Sequence, residues 1–243
     1  MWEPIRRVLV RPPDQAFGEA DPDRWHYTAR PDLGVARTEH AQLVRVLRNA
    51  GAEVIVHDGD HTDLADSIYV HDPAIVTDAG AVILRMGKPL RRGEEDALAS
   101  VLEDHDIPIH ARLTDDATAE AGDLLWLDRS TLAVGQGYRT NAEGLRQLTG
   151  ALRPLDVETI PVQLPYGDGP DACLHLMSLI SILDRNLAVV HLPLLPVPFV
   201  ELLRFRGFEL VEAPEQEFAS MGPNVLALGP RRCLALEGNP ITK

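Results

Sequence analysis

The sequence predicts an α/β fold: a five-bladed α/β-propeller forming one domain over residues 1–243, built from repeated strand, strand, helix, strand units. Three observations predict it. The same ending, an apolar-periodic helix followed by a short break and a β-rich segment, occurs four times, at 43–56, 98–110, 145–160 and 199–211, roughly every fifty residues. Pairs of apolar runs joined by polar turns, which read as hairpins, precede the second, third and fourth copies. No strand leads through G-x-G-x-x-G into a helix, and the lone GQG at 135–137 lacks its third glycine and the downstream acid, which argues against a doubly wound nucleotide-binding sheet.

Taken in order, the first unit opens on the strand IRRVLV at 5–10 and closes on the helix and strand of 43–56, with 14–34 expected to be the stretch most prone to disorder. The second pairs SIYV at 67–70 with GAVILR at 80–85. Its helix carries Glu94, Glu95 and Asp96 in the first turn, where the helix dipole favours acids. The third pairs DLLWL at 123–127 with TLAV at 131–134, and Asn141 offers an N-cap to the helix that follows. The fourth pairs CLHL at 173–176 with LAVVH at 187–191 before the copy at 199–211. A fifth pair, NVLAL at 224–228 and CLAL at 233–236, is expected to continue into a helix and closing strand of roughly forty residues beyond Lys243; the alternative is an open ring whose edge another subunit covers.

Composition narrows the function. With 37 acidic against 23 basic residues the net charge is −14, which disfavours nucleic acid and favours neutral or cationic ligands. Two distant cysteines make neither a disulfide framework nor a zinc ribbon, so a reducing, cytoplasmic setting is expected. No apolar run is long enough to span a bilayer, so no membrane partner is expected, and the start lacks a signal core. The histidines and acids of 57–61 have metal-capable side chains but read as a solvated loop, and no metal or other cofactor is expected.

Three polar clusters fall at corresponding ends of hairpin strands, where an axial site would be built: Asp66 and Asp72, Glu120 and Asp123, and His175. Each alone is readily a turn, a cap or a core histidine. Their coincidence at matching points of separate repeats favours a site, because a carboxylate can set a histidine's tautomer and pKa, and carboxylates can grip a guanidinium in a two-pronged geometry. Arg139 follows a strand end and could hold a substrate carboxylate. Cys173 and His175 would share a strand face, leaving little room for a substrate carbon between them, so Cys173 is expected to pack.

The segments DSIYVHD at 66–72, GKPLRRGEE at 87–95, EAGDLL at 120–125, VGQGYRTNAEG at 134–144, LHL at 174–176 and NVL at 224–226 together resemble the dimethylarginine dimethylaminohydrolase branch of the guanidino-group-modifying enzymes, the pentein superfamily, which includes arginine deiminases and amidinotransferases. The resemblance implies a five-bladed propeller and cofactor-independent hydrolysis of an arginine-like guanidino compound to citrulline and an amine, through a cysteine thiolate, with a homodimer possible by analogy. It implies that Asp72 holds guanidino nitrogens, that Glu120 holds substrate and orients His175, and that His175 protonates the leaving amine and then activates water. Asp66 is placed near the α-amino group, and Arg91 and Arg139 near the carboxylate; Asp123 counts among the substrate-binding residues. The family's nucleophilic cysteine lies in the last strand, and neither Cys173 nor Cys233 matches it, so the nucleophile is expected outside 1–243. Met177 stands where arginine deiminases typically carry Asp, and His71 where dimethylarginine hydrolases typically carry Glu, so the N-substituent stays open. An amidinotransferase or an arginine deiminase-like enzyme is the nearest alternative, and a non-catalytic propeller that binds a ligand or partner is the alternative of another class.

Overall fold

The computed structural model describes residues 1–57 and 63–242, so most of the 57–61 histidine motif lies outside the described residues. Two compact units divide the chain: Ile5–Ala121, and Gly122 onward together with Met1–Pro4.

In the unit of Ile5–Ala121, β1 (Arg7–Val10) pairs in parallel with β2 (Glu53–Val56), in the register Val8 opposite Val54. Between them run α1 (Gln15–Gly18), α2 (Pro22–Trp25) and α3 (Leu33–Asn49). This corrects the expectation of disorder over 14–34. Three acids of the stretch are helix caps: Asp14, Asp21 and Asp32 accept the N–H groups of Phe17, Arg24 and Val35. Trp25 is buried against Ala20 and Ala65. The second sheet has the order β3 (Ala74–Thr77), β4 (Gly80–Ile83), β5 (Ile109–Arg112), antiparallel then parallel, with α4 (Glu94–Asp104) between β4 and β5 in sequence. All four residues of β4 are buried, as the continuous apolar run of a central strand requires. Ala81, Ile83, Leu98, Ala99 and Leu102 form its core.

The other unit repeats this plan twice. One sheet is β6 (Leu124–Asp128), β7 (Thr131–Gln136), β8 (Glu158–Gln163), with α5 (Ala142–Leu152) capped by Asn141 as predicted, its side chain accepting from Gly144 N at 2.7 Å. The next is β9 (Ile180–Asp184), β10 (Leu187–Val190), β11 (Glu209–Glu212), with α6 (Val197–Phe205). A last antiparallel pair joins β12 (Leu226–Gly229) to β13 (Arg232–Leu234). Leu125, Val162, Leu176, Ile180, Val190, Phe199 and Leu203 share one core.

Two predicted strands are absent where they were expected. SIYV at 67–70 overlaps the end of the 3-10 turn Ala65–Ile68, CLHL at 173–176 is irregular up to Leu176, the first residue of the 3-10 turn Leu176–Ser178, and the strands that pair with β4 and β10 begin later, at Ala74 and Ile180. Among the described residues no helix is long and apolar enough to cross a membrane.

Candidate active site

His175 sits at the entrance to the 3-10 turn Leu176–Ser178. Its backbone is extended (φ −103°, ψ 163°), and it closes a capping box in which the Ser178 hydroxyl accepts the His175 N–H at 3.2 Å. The side chain is buried, 8% exposed. Its ring lies against Gly122: a Cβ built on that glycine would stand 2.6 Å from Nδ1 and 2.7 Å from Cγ. The preceding cysteine is not core packing, contrary to expectation. Because 173–176 is not a strand, Cys173 is exposed, and its Sγ lies 3.4 Å from Nδ1 of His175.

Asp123 is fully buried. Its Oδ1 accepts the N–H of Leu176 at 3.0 Å and its Oδ2 accepts the Thr140 hydroxyl at 2.7 Å. A buried carboxylate needs such donors to offset its desolvation. In this structure those oxygens hold the turn that follows His175. Arg139, 7% exposed, lies in the loop between β7 and α5, and its Nη2 donates to Ala172 O at 3.4 Å, two residues before Leu174. Met177 packs partly buried against the core.

The other unit gathers Asp66, Asp72, Arg91 and Glu120, all buried. Arg91 ends the 3-10 turn Pro89–Arg91. Its Nη1 donates to Asp72 Oδ2 at 2.6 Å, its Nε and Nη2 donate to Glu94 at 3.0 and 2.7 Å, and Nη2 also donates to Tyr69 O at 3.1 Å. The Arg91 guanidinium is thus held by Asp72, the carboxylate expected to hold a guanidinium. Burial opposes the charge on Arg91, but Glu94 and Asp72 outweigh it and hold the pKa above its ordinary value. Burial pushes the Glu94 carboxyl up to about 7 against the pull of Arg91, with Asp66 and Asp72 adding to the rise.

Asp66, expected near an α-amino group, binds Lys88 Nζ at 2.6 Å through Oδ2 and accepts the Tyr27 hydroxyl at Oδ1. Burial first, then Asp66, raises the Tyr27 phenol above the usual tyrosine range. Lys88 Nζ stands 5.2 Å from the Trp25 ring centroid, a cation–π distance, and donates to Trp25 O. Glu120, fully buried, accepts the Lys88 backbone N–H at 2.9 Å, and His71 Nε2 lies 3.2 Å from Ala121 O. Sequence reasoning missed Tyr27, Lys88, Glu94, Gly122 and Thr140. For Glu94 the signal was present: Arg and Glu three apart at a helix entrance form an i,i+3 pair.

A family model described as N,N dimethylarginine dimethylhydrolase, eukaryotic, matches residues 28–239. The chain belongs to this family. Among curated relatives it is 28% identical to the N(G),N(G)-dimethylarginine dimethylaminohydrolase of Pseudomonas aeruginosa over 213 residues, covering 88% of this chain and 78% of the relative. With the enzyme of that name from Streptomyces coelicolor the identity is 28% over 239 residues, covering 98% and 85%. Among solved structures, the Pseudomonas aeruginosa enzyme complexed with citrulline matches with a TM-score of 0.78 at 24% identity, covering 98% of this chain and 87% of that one. The N-terminal domain of ArgZ, a cyanobacterial arginine dihydrolase, bound to substrate, has a TM-score of 0.76 at 17% identity, covering 90% and 80%. The fold is the α/β fold of the pentein superfamily.

Proposed function

We propose that the protein is a hydrolase that cleaves a guanidino C–N bond of an arginine-like compound, in the manner of dimethylarginine dimethylaminohydrolase, giving citrulline and an amine. The observation that carries this reading is the family match over 28–239, within which Asp72, Glu120 and His175 are all buried polar residues.

In this reading a thiolate adds to the guanidino carbon and His175 gives a proton to the departing amine; it then takes a proton from the water that attacks the same carbon, breaking the C–S bond and leaving a ureido oxygen. The thiolate comes from a cysteine outside 1–243, as the resemblance implies, and Glu120 and Asp72 hold the guanidino group. The acidic balance of the chain suits a cationic substrate. We read the successive sheets as blades of a five-bladed propeller over 1–243. A shorter match, 31% identity over 111 residues to the arginine deiminase of Listeria monocytogenes, favours deimination as the second reading. Incubating the full-length gene product with arginine, monomethylarginine and dimethylarginine separates the two. Methylamine or dimethylamine released in equal amount with citrulline supports the first reading, ammonia from arginine alone supports the second, and no turnover of any of them contradicts both.

A further inference from the structure

His175 is the residue on which the proposed chemistry turns, yet it sits on a single 3-10 turn with one capping hydroxyl. A reacting imidazole must be held to within a fraction of an ångström, and a short turn alone does not hold it. The extra support converges from one dipeptide. Gly122 is the floor on which the ring rests, and any side chain there would overlap Nδ1, Cγ and Cε1, which stand 2.6, 2.7 and 3.1 Å from where its Cβ would lie. Asp123, the next residue, anchors the peptide that leaves His175 by accepting the Leu176 N–H, and is itself fixed by the Thr140 hydroxyl. Space for this is cleared from β7: a Cβ at Gly135 would stand 3.0 Å from Leu176 Cβ and 3.1 Å from Asp123 Oδ1.

We infer that Gly122, Asp123 and Thr140 are positioning residues for His175, and that Asp123 braces the turn carrying the imidazole and does not bind substrate. Both Asp123 oxygens are engaged and the residue is fully buried. The catalytic part of the inference rests on the proposed function; the positioning part does not. Asp123→Asn keeps an acceptor for Leu176 N–H and can still meet the Thr140 hydroxyl, whereas Asp123→Ala keeps neither.

The test reads His175 directly, by NMR of histidine side chains in folded protein, with the His175→Asn spectrum giving the assignment. Gly122→Ala and Asp123→Ala are expected to move the His175 resonances and shift its titration midpoint by about half a pH unit or more, a change of the size that altered ring surroundings produce. Thr140→Val moves them less, and Asp123→Asn restores them. Ile182→Val, in the core of the same unit, lowers the melting temperature and leaves His175 unmoved. Unchanged His175 resonances in Gly122→Ala overturn the inference. Should that variant not fold, unchanged resonances in Thr140→Val and in Asp123→Ala overturn it equally. Kinetically, kcat is expected to fall about tenfold or more in Asp123→Ala, with KM within about twofold. A KM that rises while kcat holds means Asp123 meets substrate, which also overturns it. Absence of guanidino turnover in the wild type sinks the proposed function and leaves the NMR comparison to decide the brace.

Discussion

Replacing Glu94 with Gln removes one ionisable group from the buried cluster around Arg91 while leaving a side-chain oxygen to accept from the guanidinium. The folded carboxyl sits at about 7 against 4.5 in the ordinary state, and at about 1.4 kcal/mol per unit the difference amounts to roughly 3 kcal/mol. The sign follows from proton counting. This is an acid whose folded pKa is raised, so between 4.5 and about 7 the folded state holds more protons than the unfolded one, and stability falls as pH rises. The contribution is complete below the unfolded value and lost above the folded one. Between about pH 5 and about pH 7.5 the linkage removes about 2 kcal/mol from the wild type and nothing from Glu94→Gln. Urea denaturation followed by circular dichroism at the two pH values, taken as a double difference, cancels every other group that titrates alike in both proteins. A variant whose stability changes with pH just as the wild type's does refutes the assignment of Glu94 as a carboxyl whose pKa burial raises.

Tyr27→Phe deletes the hydroxyl that Asp66 accepts, a bond to a charged group, and is expected to cost about 1.5–3 kcal/mol in urea melts; a loss of under about 0.5 kcal/mol refutes the role. Partial burial and then the Asp184 carboxylate push the Cys233 thiol up, so Cys233 is expected to alkylate more slowly than Cys173 near neutral pH. Peptide mass spectrometry after brief iodoacetamide treatment checks this, with Asp184→Asn speeding Cys233 and equal initial rates contradicting it.

Much of the fold was legible because its units are local. Leu124–Asp128 and Thr131–Gln136 alternate or run apolar as paired strands must, and the Asn141 cap is a side chain acting three residues ahead. The misread strands share one cause. At 67–70 and 173–176 apolar residues alternate with polar ones over four positions, and so short a run looks the same in a turn or loop as in a strand. The turn at 176–178 also receives a contact that no local pattern carries: Asp123, some fifty residues away, accepts the Leu176 N–H. Over 14–34 two of the three helices span only four residues each, too short to show an apolar period, and Asp14, Asp21 and Asp32 cap the three.

For the candidate site, the sequence singles out candidate residues but not the partners they meet. Asp66, Asp72, Glu120 and His175 stand out by placement in the repeats, and all four are buried. That Arg91 lies in the grip of Asp72 and Glu94, and Asp66 in that of Tyr27 and Lys88, depends on how turns at 27, 66, 88 and 91 meet within one unit. Burial has a physical consequence there, since charges removed from water persist only when paired.

Citrulline formed from dimethylarginine by the full-length gene product, compared between wild type and His175→Asn at matched folding by circular dichroism, tests the central claim most directly. The account predicts citrulline and dimethylamine in equal amounts from the wild type and a rate lower by about 10²–10⁴ in the variant, the usual worth of a general acid and base. Undiminished turnover in His175→Asn contradicts it.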